Sequence, residues 1–71
     1  MRDDEESVEL EDVEVEHKTE MALLCIIEGQ KHWIPFSQIV EDDSELGHWS
    51  KKGEVGLLVI SEWLATEKGI V

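Results

Sequence analysis

The sequence predicts a mainly β domain with a short C-terminal helix, of the α+β class. Three observations predict it. Apolar residues alternate with glutamates from Val8 to Val15, two short apolar runs are bracketed by turn residues, and a capped helical stretch closes the chain. The expected order is β-β-β-turn-loop-β-α. Several strands and little helix suggest a small curled antiparallel sheet or a partly open SH3-like or OB-like barrel.

The first strand is read from its period of two. Val8 and Leu10 alternate with Glu9 and Glu11, and Val13 and Val15 with Glu14 and Glu16. The apolar positions switch from even to odd across Glu11-Asp12. A β-bulge or a break there absorbs the shift. Residues 1–7 read as a solvated acidic tail, and 8–71 as the single domain, with the first strand reaching Lys18 or Thr19.

Met21–Ile27 is apolar at every position and reads as a central strand buried on both faces. Glu28-Gly29-Gln30-Lys31 then signals a hairpin, with Gly29 supplying a positive φ. His32-Trp33-Ile34 continues into the return strand. Pro35 ends it and occupies the first position of a single helical turn, with Phe36 and Ile39 facing the core. Residues 41–53 form a polar loop in which only Leu46 and Trp49 are apolar. Val55–Ile60 is the last strand. Ser61 is a good N-cap, Glu62 suits the first turn of a helix, and Lys68-Gly69 suits its end.

Composition narrows the function. The 71 residues hold 18 acids and 6 Lys or Arg, a net charge of −12. Such a chain is repelled by DNA, RNA and anionic membranes and favours basic partners. Two thirds of that charge falls in residues 1–20. The apolar run Met21–Ile27 is far short of the roughly 20 residues a membrane span needs. A single Cys with no apolar leader suits a cytoplasmic setting.

The pattern Ala22-Leu23-Leu24, Glu28-Gly29, Trp33-Ile34-Pro35, Ser37-Gln38-Ile39 and Asp42-Asp43-Ser44-Glu45 resembles a group of small phage and prophage proteins. So does Gly56-Leu57-Leu58-Val59-Ile60-Ser61-Glu62-Trp63-Leu64-Ala65 with Lys68-Gly69. The resemblance spans about residues 18–70. It implies a phage setting and no mechanism, since no activity is established for the group. Phe36 stands where the group often has a basic residue, and the acidic lead is not part of the pattern.

No nucleophile stands beside a base by spacing. Cys25 lies inside the most apolar strand, Ser37, Ser44, Ser50 and Ser61 fall at turns or caps, and His17, His32 and His48 fall in three elements. The expectation is a binding protein and not an enzyme, with no cofactor. The Asp42–Glu45 carboxylates lack the register of a calcium loop and read as a solvated turn.

The candidate binding residues are Glu9, Glu11, Glu14, Glu16 and Trp49. The four glutamates project to one side of their strand segments, about 6.6 Å apart within each pair. Such a row can imitate a phosphate backbone toward a basic groove, or it can be a solvated face that protects an edge. Trp49, followed by Lys51-Lys52, is either a partner anchor or a loop residue packed on the core. Trp33 and Trp63 are expected to fill the core.

A basic protein, of phage or host, is therefore the expected partner, with the chain acting as an accessory or inhibitor. One alternative is a barrel binding single-stranded nucleic acid through Trp33, Phe36 and Trp49, with Lys31, Lys51 and Lys52 as its basic patch. Another is a homodimer or larger self-assembly formed through a strand edge.

Overall fold

A computed structural model of the chain describes residues 6–70. Four strands, β1 (Ser7–Lys18), β2 (Ala22–Ile27), β3 (Gln30–Pro35) and β4 (Val55–Ser61), precede one helix, α1 (Glu62–Glu67). They form a single antiparallel sheet in the order β3-β2-β1-β4. Three strands joined by short turns and a fourth returning beside the first make the Greek-key order. The sheet stays open and does not close into a barrel. β1 starts at Ser7, one residue ahead of the expected domain start; Met1–Glu5 of the expected tail lie outside the described residues.

The bulge expected at Glu11-Asp12 is present. Leu10 pairs with Leu58 and Val13 with Gly56, so two residues of β1 oppose one of β4. Asp12 takes a φ of 57°, a left-handed conformation that Asp tolerates better than most residues. The extra residue keeps Val8, Leu10, Val13 and Val15 on one face despite their change of parity. Val13 and Val15 are fully buried, and Val8 and Leu10 pack half-buried against the same core. A second irregularity lies between Val15 and His17, against β2.

The hairpin Ile27–Gln30 turns on two residues, Glu28 (φ 53°) and Gly29 (φ 82°). Positive φ at both is the type I′ pattern that matches the twist of the strands. Leu23, Cys25, Ile27 and Ile34 enter the core from this hairpin. Met21 precedes β2 and is 76% exposed, and Ala22, Leu24 and Ile26 are only half-buried. β2 is thus covered on one face, and the expectation of burial on both is corrected. Pro35 caps the 3-10 turn Phe36–Gln38 from outside, in extended conformation, and does not occupy its first position.

α1 sits over the core face of β4 and β1, with Leu64 and Ala65 buried. The Ser61 hydroxyl accepts from the Leu64 amide at 3.2 Å, as an N-cap should. Gly69 adopts a φ of 74°, its amide donates to the Thr66 carbonyl and the Ile70 amide to the Ala65 carbonyl. That pair of bonds is the Schellman ending, and it returns Ile70 to the core.

Two tryptophan expectations fail for geometric reasons. Ile34 pairs with Leu23 facing inward, so its neighbour Trp33 must face outward, and it is 43% exposed. On α1, Leu64 and Ala65 take the inward arc, which leaves Trp63 outside at 64% exposure.

Candidate protein-binding surface

The helix, the 3-10 turn and Leu46 cover one face of the sheet, and the other face is open except at Val59, which is 1% exposed. Register assigns residues to that outer face. Glu14 pairs with Val55 on one side and Ile26 on the other, and Ile26 pairs with Lys31. This cross-strand row runs Val55–Glu14–Ile26–Lys31. The next row holds His17, Leu24 and Trp33. Glu9 opposes Val59, which shares the parity of Val55, so Glu9 belongs to the same face.

The acidic residues expected at the site therefore lie on one surface. Glu9, Glu11 and Glu14 are exposed and Glu16 is half-buried. The Glu16 carboxylate meets the Lys31 ammonium at 3.7 Å, which, among the described residues, leaves Glu9, Glu11 and Glu14 as the less compensated part of the row. The bulge sets the face: without it, Glu14 and Glu16 would turn to the core side.

The same surface carries apolar residues that sequence reasoning did not assign to it. Leu24 and Ile26 are half-buried, Val55 is 58% exposed, and Trp33 stands edge-on against His17 with ring centroids 6.2 Å apart. The signal was available in Met21–Ile27. A strand apolar at every position in a sheet with one covered face must show half of its apolar residues outside.

Trp49 lies elsewhere, in the loop that crosses the core side. Its indole N–H donates to the Glu45 carbonyl at 3.1 Å. The ring folds over Gly47, where an added Cβ would come within 2.6 Å of Cη2. His48 stands edge-on to Trp49 at 5.1 Å and to Phe36 at 6.4 Å, and its Nδ1 lies 2.9 Å from Glu41 Oε2. The Lys18 ammonium donates to the His48 carbonyl at 2.8 Å. Trp49 is thus fixed by its own loop while 45% exposed, so it does not extend the acidic face.

The residues of the nucleic-acid alternative are not brought together. Trp33 and Lys31 belong to the outer face, whereas Phe36 packs on the core cluster and Trp49 stays in the loop. Lys51 and Lys52 lie in the turn before β4, where the Lys51 amide donates to Glu54 Oε1 at 3.1 Å. In the Asp42–Glu45 segment, Ser44 and Glu45 spend their side chains on main-chain groups of Leu46, Leu57 and Val59. Cys25 is fully buried, and burial pushes its thiol up to about 11.

Among the described residues, no helix is long and apolar enough to cross a membrane. No family model, curated protein or solved structure matches the chain.

Proposed function

We propose that the chain is a non-enzymatic binding protein whose outer sheet face docks on a basic protein surface. The observation that carries this reading is the register that sets Glu14 beside Val55 and Ile26, one row from Leu24 and Trp33, with Glu9 further along the same face. Carboxylates steer a basic partner and fix its orientation, and the adjoining apolar residues supply the area that holds it. An acidic row alone would be a solvated face. An acidic row beside an exposed Trp and Val has the two components an interface needs.

The likeness of the sequence pattern to small phage proteins supports a role in the host cell cytoplasm, as a phage-encoded accessory or inhibitor of a basic protein of host or phage. A basic surface that normally holds nucleic acid fits best, since the row of carboxylates competes for the same cations.

The test is a pull-down from host lysate with the full chain, with and without nuclease, at low and high salt. A basic protein retained at low salt, insensitive to nuclease and lost at high salt supports the reading. The triple substitution Glu9→Gln, Glu11→Gln, Glu14→Gln should slow association and weaken capture at least tenfold. Capture indifferent to both salt and this substitution overturns it.

A further inference from the structure

The two edges of the sheet differ. Along the middle of β4, the outward main-chain groups of Leu57 and Val59 are already used by the crossing loop. The Val59 carbonyl accepts from the Val40 amide at 2.8 Å and the Val59 amide donates to Ser44 Oγ at 3.2 Å. The Leu57 carbonyl accepts from the Glu45 amide at 2.8 Å, and its amide donates to Glu45 Oε1 at 2.9 Å. That edge is sealed.

β3 has no such cover. The two-residue turn makes Ile27 and Gln30 a bonded pair, and alternation then makes Cys25–His32 and Leu23–Ile34 the next ones. The Phe36 amide donating to the Met21 carbonyl continues the series. The main-chain groups of Lys31 and Trp33 therefore point away from β2. Among the described residues, no hydrogen bond takes them. The strand reads Gln-Lys-His-Trp-Ile-Pro, with no carboxylate in a chain of net charge −12.

We propose that a second copy of this chain pairs with the β3 edge, antiparallel, about a two-fold axis at His32. In this register Lys31 of each copy exchanges both outward hydrogen bonds with Trp33 of the other. It also sets the aliphatic stem of each Lys31 side chain beside the indole of the opposite Trp33. The neighbouring symmetric registers are poorer. An axis at Lys31 opposes two ammonium groups, and an axis at Trp33 sets Lys31 against Pro35, which has no N–H to donate. Lys31 does not block the edge, because its side chain is drawn over the outer face toward Glu16.

The axis is perpendicular to the sheet, so both outer faces stay on one side. The apolar residues Leu24, Ile26 and Trp33 of the two copies then join, with a glutamate row on each flank. A strand pair buries well under the roughly 1,200 Å² of a stable interface, so association is weak and rises with protein concentration. The −12 charge of each copy opposes it. Salt shortens the reach of that repulsion from about 10 Å at 0.1 M to about 3 Å at 1 M, so salt strengthens the dimer. A complex with a basic partner responds to salt in the opposite direction.

Sedimentation equilibrium of the purified full chain, under reducing conditions, tests this without any partner. The expected mass rises toward twice the monomer value with concentration, and further at high salt. Amide exchange at Lys31 and Trp33 slows over the same range, while other exposed amides do not change. His32→Glu sets two carboxylates against each other at the axis and holds the chain monomeric. A monomer mass at the highest concentration and salt overturns the proposal. So does a dimer that leaves the Lys31 and Trp33 amides unprotected. The exchange measurement on the unaltered chain decides the matter if His32→Glu does not fold, and none of these outcomes bears on the basic-partner reading.

Discussion

The Ser44 hydroxyl oxygen accepts the Val59 amide at 3.2 Å, fifteen residues along the chain. It also accepts the Leu46 amide at 3.2 Å and donates to the Leu46 carbonyl at 2.6 Å. One small polar side chain thus stands in for a strand neighbour along β4. Val59 is 1% exposed, so its amide has no water to turn to when the hydroxyl is removed. Ser44→Ala should cost about 1–3 kcal/mol, the penalty for a buried donor left unmade. Urea unfolding of the two proteins measures it. A loss under a few tenths of a kcal/mol would show that β4 does not depend on this seal.

Gly47 and Trp49 are tied by space. The indole covers the Gly47 Cα, and an alanine Cβ would lie 2.6 Å from Cη2 and 2.7 Å from Cζ3. Gly47→Ala should therefore lift the indole off its loop and weaken its bond to the Glu45 carbonyl. We expect a red-shifted Trp49 fluorescence, read in a Trp33→Phe, Trp63→Phe background, and a stability loss of about 1 kcal/mol, at the lower end for overpacking. An unchanged emission maximum would mean that the loop yields and the indole stays.

What the sequence made legible follows from periodicity. The switch from Val8 and Leu10 to Val13 and Val15 announced the bulge, because a change of parity in a half-buried strand needs an extra residue. Ser61 and Gly69 announced the ends of α1 through their own chemistry. Trp33 was misplaced because Met21–Ile27 is apolar throughout and gives no parity, so nothing fixed which of Trp33 and Ile34 faced inward. The seal along β4 was hidden for another reason. Ser44 and Glu45 look like solvated loop residues, and their role comes from long-range pairing with Leu57 and Val59.

Ser61 joins two elements. Its hydroxyl caps α1 through the Leu64 amide and donates to the Gln38 side-chain carbonyl at 2.6 Å. Ser61→Ala removes both bonds and should destabilise the chain by about 1–2 kcal/mol. Ser61→Asp keeps the cap and replaces the donor to Gln38 with an acceptor. It should recover part of the loss, and thermal melts of the three proteins separate the two contributions. Equal melting points for Ser61→Ala and the unaltered chain would assign the helix start to packing of Leu64 and Ala65 alone.

Cys25 faces the core at zero exposure, and burial lifts its thiol from 9.0 to about 11. The neutral thiol is the form the fold accepts, so the folded state binds a proton that the unfolded chain has released at alkaline pH. Its contribution to stability is complete below pH 9 and is lost as pH rises from about 9 toward 11. Urea midpoints should therefore fall across that window, and Cys25→Ala should flatten part of the fall while lowering stability at neutral pH through the space it leaves. Reaction with a thiol reagent at pH 8 gives the kinetic counterpart. The folded chain should react orders of magnitude more slowly than the urea-unfolded chain, because attack needs a thiolate and a path to it. Comparable rates in the two states would mean that the β1–β2 pair opens readily, which would contradict the burial of Val13, Val15 and Cys25 as one packed cluster.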